Sequence, residues 1–325
     1  MSPDLQRLIL DEAIPRELNL EKASIYPLRH SGVNSNIYVI KTNDQKFILK
    51  KFRTLSNSDR SRFDAENFAL DFFKKYKIKS VPEKLFSSRR NNFILMTFAN
   101  GVRPKKFSPK IAQQAVKFID KIHMASLDKN FIKPVYAVEA FLSPQELYNQ
   151  IDNRIENCFL KISKRSPVTS FLNDQLVPLY KSLREAASSK LSNKKIEVNQ
   201  MTFSVVDFGL NNFLLNENNL LQFIDFEFSG MDDPVKLVSD SLFHPANNFT
   251  VKNIKKYQPI FCKVFQDTDP SFEGRFEEFY LFFGIKWCLI MLNRFLHLKL
   301  ESYKRDDLMQ LKKTEERLRI LKELC

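Results

Sequence analysis

Between Phe203 and Pro234 two acidic segments flank one apolar hairpin. Phe-Ser-Val-Val-Asp207-Phe-Gly-Leu-Asn-Asn212-Phe-Leu-Leu leads into a polar turn, and Leu-Gln-Phe-Ile-Asp225-Phe-Glu-Phe-Ser-Gly-Met-Asp-Asp-Pro leads out of it. Phosphoryl transfer needs a carboxylate that orients or deprotonates the attacking hydroxyl, and oxygen ligands that hold Mg²⁺ against the phosphates. Asp207 has the type for the first task. Asn212 supplies a neutral oxygen and Asp225 an anionic one. Neighbouring strands lie about 5 Å apart, so a hairpin brings both within reach of one hydrated ion. Asp and Asn are also common turn formers; it is their joint placement around an apolar hairpin that points to chemistry.

A second pair stands near the N-terminus. Lys50 lies on the second strand of an apolar hairpin, and Glu66 falls three residues after Phe63 and four before Leu70, on the stripe that a following helix would bury. A lone buried carboxylate is unfavourable, so Glu66 calls for a cation. Lys50 is the natural partner, with Lys51 the alternative if the strand register shifts by one. Such a pair positions a lysine against the α and β phosphates of a nucleotide. Ahead of the hairpin, Ser31-Gly32-Val33-Asn34-Ser35-Asn36 has the make-up of a loop that covers phosphates with backbone amides, although its single glycine fits neither a Gly-x-Gly-x-x-Gly nor a Walker pattern.

These residues need elements to position them. Asn36 to Lys41 and Lys46 to Phe52 read as strands joined by Thr42-Asn43-Asp44-Gln45. A helix capped by Ser58 follows, with Phe63, Leu70 and Phe73 as its buried stripe. Val81 to Phe86 and Phe93 to Thr97 are further strands. After Gly101 the pattern turns helical: Ile111, Val116, Ile119 and Ile122 mark one helix, and Ser143-Pro144-Gln145-Glu146 opens another over 143 to about 163. More helices are predicted over Phe171 to Leu191 and, as a pair, over most of Phe272 to Cys325, with the strand pair Asn212 to Leu215 and Leu220 to Phe226 embedded between. The order is that of an α+β, two-lobed kinase-like fold: a β-rich nucleotide lobe over 1–100, then a helical lobe over 101–325 carrying the catalytic and metal loops.

The spacing resembles that of the aminoglycoside phosphotransferase and choline kinase superfamily, whose catalytic loop reads His-x-Asp-x-x-x-x-Asn ahead of an Ile-Asp-Phe/Trp-Glu strand. Gly230, Asp233 and Pro234 match its Gly-x-x-Asp-Pro tail. The resemblance implies Asp207 as catalytic base, Asn212 and Asp225 as magnesium ligands, Lys50, Glu66 and Gly32 around the ATP phosphates, and Thr97 and Ala99 as the hinge backbone that meets adenine. It implies an ATP- and Mg²⁺-dependent phosphotransferase acting on a hydroxyl of a small molecule: a sugar, amino alcohol or aminoglycoside. One position departs from the pattern. Val205 stands where the family has its His, two residues before the catalytic Asp, which admits a second reading as a weakened, nucleotide-binding scaffold.

Composition narrows the remaining classes. A formal charge of +13, from 51 basic and 38 acidic residues, attracts anions in general. The Lys and Arg are scattered, with no recognition module for nucleic acid, so no nucleic-acid partner is expected. Cys158, Cys262, Cys288 and Cys325 lack metal or disulfide spacing, and His30, His123, His244 and His297 lack metal-ligand spacing. The apolar run Phe279 to Leu292 is interrupted by Lys286 and reads as a core helix rather than a membrane span. With no apolar leader at the start, a cytoplasmic protein is expected.

Overall fold

Phe47 and Leu49 alternate with residues of the opposite face, and with Ile40, Phe93 and Leu95 they form one buried layer. That period of two builds the first sheet. In the computed structural model, described for Glu12, Ile14, Leu18, Leu20 and residues 23–28, 35–53, 61–187 and 195–325, the chain opens with β1 (Ser24–Pro27), β2 (Ser35–Lys41) and β3 (Lys46–Phe52). Then follow α1 (Arg62–Lys75), β4 (Lys84–Ser88), β5 (Phe93–Thr97), α2 (Pro109–Ser126) and α3 (Pro144–Lys161). The helical stretch Pro167–Ala186 contains one π-turn over Leu172–Leu176, and β6 (Thr202–Ser204) ends this part of the chain. The remainder is β7 (Phe213–Leu215), β8 (Leu221–Phe223), β9 (Gly230–Asp232), α4 (Pro234–Phe243), α5 (Val251–Gln266), α6 (Phe272–Met291) and α7 (Arg305–Leu324).

The chain folds as two compact units, residues up to Lys105 with Asn211–Gly230, and Lys106–Leu210 with Met231–Cys325. In the first, the sheet order is β1-β2-β3-β5-β4, antiparallel throughout. The β2–β3 hairpin and β5 fall on the residues their alternation predicts. The helix cap differs: Ser58 lies outside the described residues, and Ser61 caps α1 by accepting from the Asp64 amide at 3.1 Å. The β7–β8 hairpin, read from sequence as part of the helical lobe, clusters with this unit. Its backbone explains why: Val102 and Leu215 exchange both amide bonds, at 3.0 and 2.8 Å, and the Phe223 amide donates to the Ser80 carbonyl at 2.8 Å. Gly101 permits the first of these, since a Cβ there would lie 2.9 Å from the Leu215 carbonyl oxygen.

The second unit is helical. Ser143 caps α3 by accepting from the Glu146 amide at 3.2 Å, with Pro144 in the first turn. α6 is apolar and long enough to cross a membrane by composition alone, but 67% of its most apolar window is buried within the fold. Its Lys286 is neutralised inside, 3.0 Å from Glu139 Oε2 and 2.6 Å from Gln150 Oε1. Asp233, fully buried, caps α4 by accepting from the Val235 amide at 2.7 Å, and it pairs with Arg275 Nε at 2.8 Å. Arg275 also reaches Asp269 at 2.7 Å. Arg275→Met would strand the Asp233 carboxylate in the interior, and breaking one side of a buried pair typically costs about 3–5 kcal/mol. Urea unfolding is expected to show a loss of that order, against near-wild-type stability for Arg319→Met, which cuts only exposed pairs on α7.

Candidate functional site

Lys50 sits mid-strand on β3, opposite Ile37 of β2 and Ile94 of β5. Because successive strand residues face opposite sides, Lys50 and Lys51 cannot share a role. Lys50 is the buried one, its ammonium 2.5 Å from Glu66 Oε2, 2.7 Å from Asp225 Oδ1 and 3.0 Å from Glu227 Oε2. Glu66 reaches it from the buried stripe of α1, where Phe63, Glu66, Leu70 and Phe73 recur at helical spacing. Asp225 follows β8 in the left-handed backbone region, at φ 70°. Asp tolerates that conformation better than most residues, and strain of this kind concentrates at functional sites.

Asn212 enters the hairpin next to this cluster in the chain: the β7–β8 register pairs Phe213 with Phe223 and so puts Asn212 opposite Ile224, whose amide donates to the Asn212 carbonyl at 3.0 Å, one residue before Asp225. Three carboxylates therefore surround one ammonium. Burial acts to lower the Lys50 pKa, but Glu66, Asp225 and Glu227 outweigh it and hold the side chain protonated. Burial raises the Glu66 carboxyl above the ordinary carboxylate range; Lys50 opposes this, and Asp225 and Glu227 add to it. The cluster carries more negative than positive charge. Ligand oxygens of Glu66, Asp225 and Glu227 lie within 4.8 Å of one another, and hard carboxylate and amide oxygens are the donors that Mg²⁺ accepts. Glu66 and Glu227 are closed in around Lys50, and Asp225, its side chain 38% exposed, is the carboxylate of the three with the chemistry and the open face to take such an ion. Sequence reasoning did not single out Glu227, although a second carboxylate two residues after Asp225 was a visible signal.

Of the other positions assigned to the nucleotide, Gly32 lies outside the described residues. Thr97 ends β5 with its amide donating to the Glu83 carbonyl at 2.9 Å and its hydroxyl accepting from the Glu83 amide at 2.9 Å. Its amide is therefore bound within the sheet, so an adenine contact there would fall to the carbonyl. Ala99, two residues on, lies beyond the strand and is half-buried.

Asp207 belongs to the second unit. It too is left-handed, at φ 65°, and its carbonyl accepts from the Gly209 amide at 3.0 Å. Val205 is buried and offers no polar contact from its side chain. The support comes from elsewhere in the chain. His244, just past the end of α4, places Nε2 2.8 Å from Asp207 Oδ1. Three residues on, Asn247 Oδ1 accepts from the Leu210 amide at 3.0 Å while its own amide nitrogen donates to the Ser241 carbonyl at 2.7 Å. The turn over Pro245–Asn247 thus grips the Asp207 loop at two points. No local pattern in the sequence marks His244 for this.

No family model matches this sequence, nor does any curated protein. Solved structures do. The chain is similar to the choline kinase of Cryptosporidium parvum Iowa II, with a TM-score of 0.65 at 14% identity over 98% of this chain and 94% of that one. It is similar to the ethanolamine kinase of Plasmodium vivax, with a TM-score of 0.59 at 14% identity over 98% and 86%. It is also similar to a thermostable mutant of the aminoglycoside phosphotransferase APH(4)-Ia in ternary complex with AMP-PNP and hygromycin B, with a TM-score of 0.57 at 12% identity over 97% and 98%. The fold is therefore the one these solved choline kinase, ethanolamine kinase and aminoglycoside phosphotransferase structures share, as the motif spacing implied.

Proposed function

We propose that this protein transfers the γ-phosphoryl group of ATP, with Mg²⁺, to a hydroxyl of a small-molecule acceptor such as a sugar, amino alcohol or aminoglycoside. The observation that carries this reading is the buried Lys50, held between Glu66 and Asp225 on a fold shared with small-molecule kinases. An ammonium fixed this way is rigid and permanently charged, as an anchor for nucleotide phosphates requires. Asn212 and Asp225 would hold the magnesium, with Glu227 a further oxygen donor; the bound ion would supply charge neutralisation at the phosphates. Glu66 keeps Lys50 in place. Asp207 takes the proton of the acceptor hydroxyl as its oxygen bonds to the γ-phosphorus and the bond to the ADP oxygen breaks.

Val205 favours the competing reading, a nucleotide-binding scaffold without turnover. The His244 contact on Asp207 argues for turnover, because a loop retired from catalysis has no need to keep its carboxylate oriented. A screen of hydroxylated metabolites for stimulated ADP release from Mg·ATP decides between them. At least one class is expected to raise ADP release more than about tenfold over ATP alone, with the phosphoryl group recovered on the acceptor. ATP binding with no ADP release for any acceptor class would sink the transferase reading and leave the scaffold.

A further inference from the structure

Asp207 sits in a sparsely populated backbone conformation, with its side chain 30% exposed. A carboxylate so placed can swing unless something fixes it, and a proton acceptor must be aimed to within a fraction of an ångström of its target. Two positions earlier in the chain stands the buried, apolar Val205, which offers Asp207 no polar contact from its side chain. We infer that His244, reaching over from a distant turn, is the positioning residue for Asp207. The inference rests on the reading of Asp207 as proton acceptor.

The hydrogen bonds assign the tautomer of the ring. His244 Nδ1 accepts from the Ala246 amide at 3.1 Å, which leaves the proton of the neutral tautomer to Nε2. Its single N–H is then on Nε2 and donates to Asp207 Oδ1 at 2.8 Å. A neutral donor orients the carboxylate without neutralising it. An imidazolium would instead compete with the acceptor hydroxyl by withdrawing charge from the base.

The ring itself is packed against two neighbours. It stands edge-on to the Trp287 indole at 4.6 Å between centroids, and that indole is pinned by its N–H bond to Asp240 Oδ1 at 2.9 Å. Asp240 is paired in turn with Lys236 at 3.2 Å, and Lys236 with Asp232 at 3.1 Å. Asp232, Lys236, Asp240 and His244 follow one another at intervals of four, so one line along α4 and its flanks ties the base to the helix start. The ring also lies against Gly209, where a Cβ would fall 2.2 Å from Nδ1. Only a glycine two residues after Asp207 leaves room for the histidine to reach over the loop.

Two measurements on the full chain test this. In the first, nitrogen-15 NMR of the His244 ring, assigned by its loss in His244→Leu, reads the tautomer directly and needs neither ligand nor turnover. The Nε2–H form is expected, with an imidazole proton that exchanges slowly and shifts on Asp207→Ala. An Nδ1–H form, or a ring indifferent to Asp207→Ala, overturns the assignment. The second follows ADP release from Mg·ATP with water as acceptor. His244→Leu is expected to lower kcat by about 10- to 100-fold while the KM for ATP stays within about twofold. His244→Gln, whose amide can still donate near the Nε2 position, is expected to recover most of the loss. Gly209→Ala, which displaces the ring but keeps the histidine, is expected to behave like His244→Leu. If wild type turns over and His244→Leu matches it, or Gln rescues nothing, the positioning role is refuted. A wild type that binds ATP but releases no ADP with water or with any acceptor class refutes the transferase reading, and the NMR result still decides the contact between His244 and Asp207.

Discussion

Asp207→Asn is expected to reduce phosphoryl transfer at least about a hundredfold and to leave ATP affinity within about twofold. A positioned general base contributes on the order of 10²–10⁴ in rate, and asparagine cannot take the acceptor proton. The substitution is nearly isosteric, and its amide oxygen can still accept from His244 Nε2, so the loop should keep its shape and the protein its stability. Nucleotide affinity rests on other residues in this reading: Lys50, Glu66, Asn212, Asp225 and Glu227, none of which is altered. Steady-state ADP release with the best acceptor from the screen, beside calorimetric titration of ATP, separates the two quantities. Turnover within about threefold of wild type would remove Asp207 from the reaction. A parallel loss of ATP binding would show that the substitution had disturbed more than the base.

Lys50→Met is expected to do two things together: raise the KM for ATP at least about tenfold and destabilise the fold in a pH-dependent way. The ammonium is buried, and without it Glu66, Asp225 and Glu227 face one another with no cation. Leaving one side of a buried pair uncompensated costs about 3–5 kcal/mol near neutral pH. The sign with pH follows from Glu66. In wild type its pKa is already raised by burial despite the pull of Lys50, and loss of Lys50 raises it further above its unfolded value. The folded variant then binds more protons than the unfolded chain, so its stability falls as pH rises through the range above about 4.3. The deficit against wild type should therefore be large at pH 8 and shrink by pH 5, where protonation relieves the repulsion. Lys50→Met/Glu66→Gln should recover part of it at pH 8. Thermal unfolding across that range reads all three proteins, and a deficit that does not change with pH would mean the carboxylates are not the cause.

Both expectations rest on residues visible in the sequence, yet parts of the fold were not. Pro234–Phe243 is a helix with all ten residues buried, Lys236 and Asp240 included, so it has no solvent-facing side for polar residues to mark. α5 contains Pro259, an interior residue that argues against a helix on local grounds. The short edge strand β1 is defined by its pairing with β2, which no local pattern announces. Sequence also overextended the hairpin strands: Leu220 to Phe226 was read as one strand, and the structure keeps only Leu221–Phe223, because Asp225 turns into the left-handed region.

What the sequence determined by itself was the chemistry available and the local frame for it. Apolar alternation placed Lys50 on a strand, helical spacing put Glu66 on a buried face, and a short hairpin joined Asn212 to Asp225, because each of these relations spans only a few residues or one period. Tertiary structure decided which of Lys50 and Lys51 turns inward, added Glu227 to the charge cluster, and supplied His244 to Asp207 across 37 residues of chain. Those outcomes depend on strand register and on packing between segments far apart in sequence. Periodicity carries no information about such contacts; only the folded chain does.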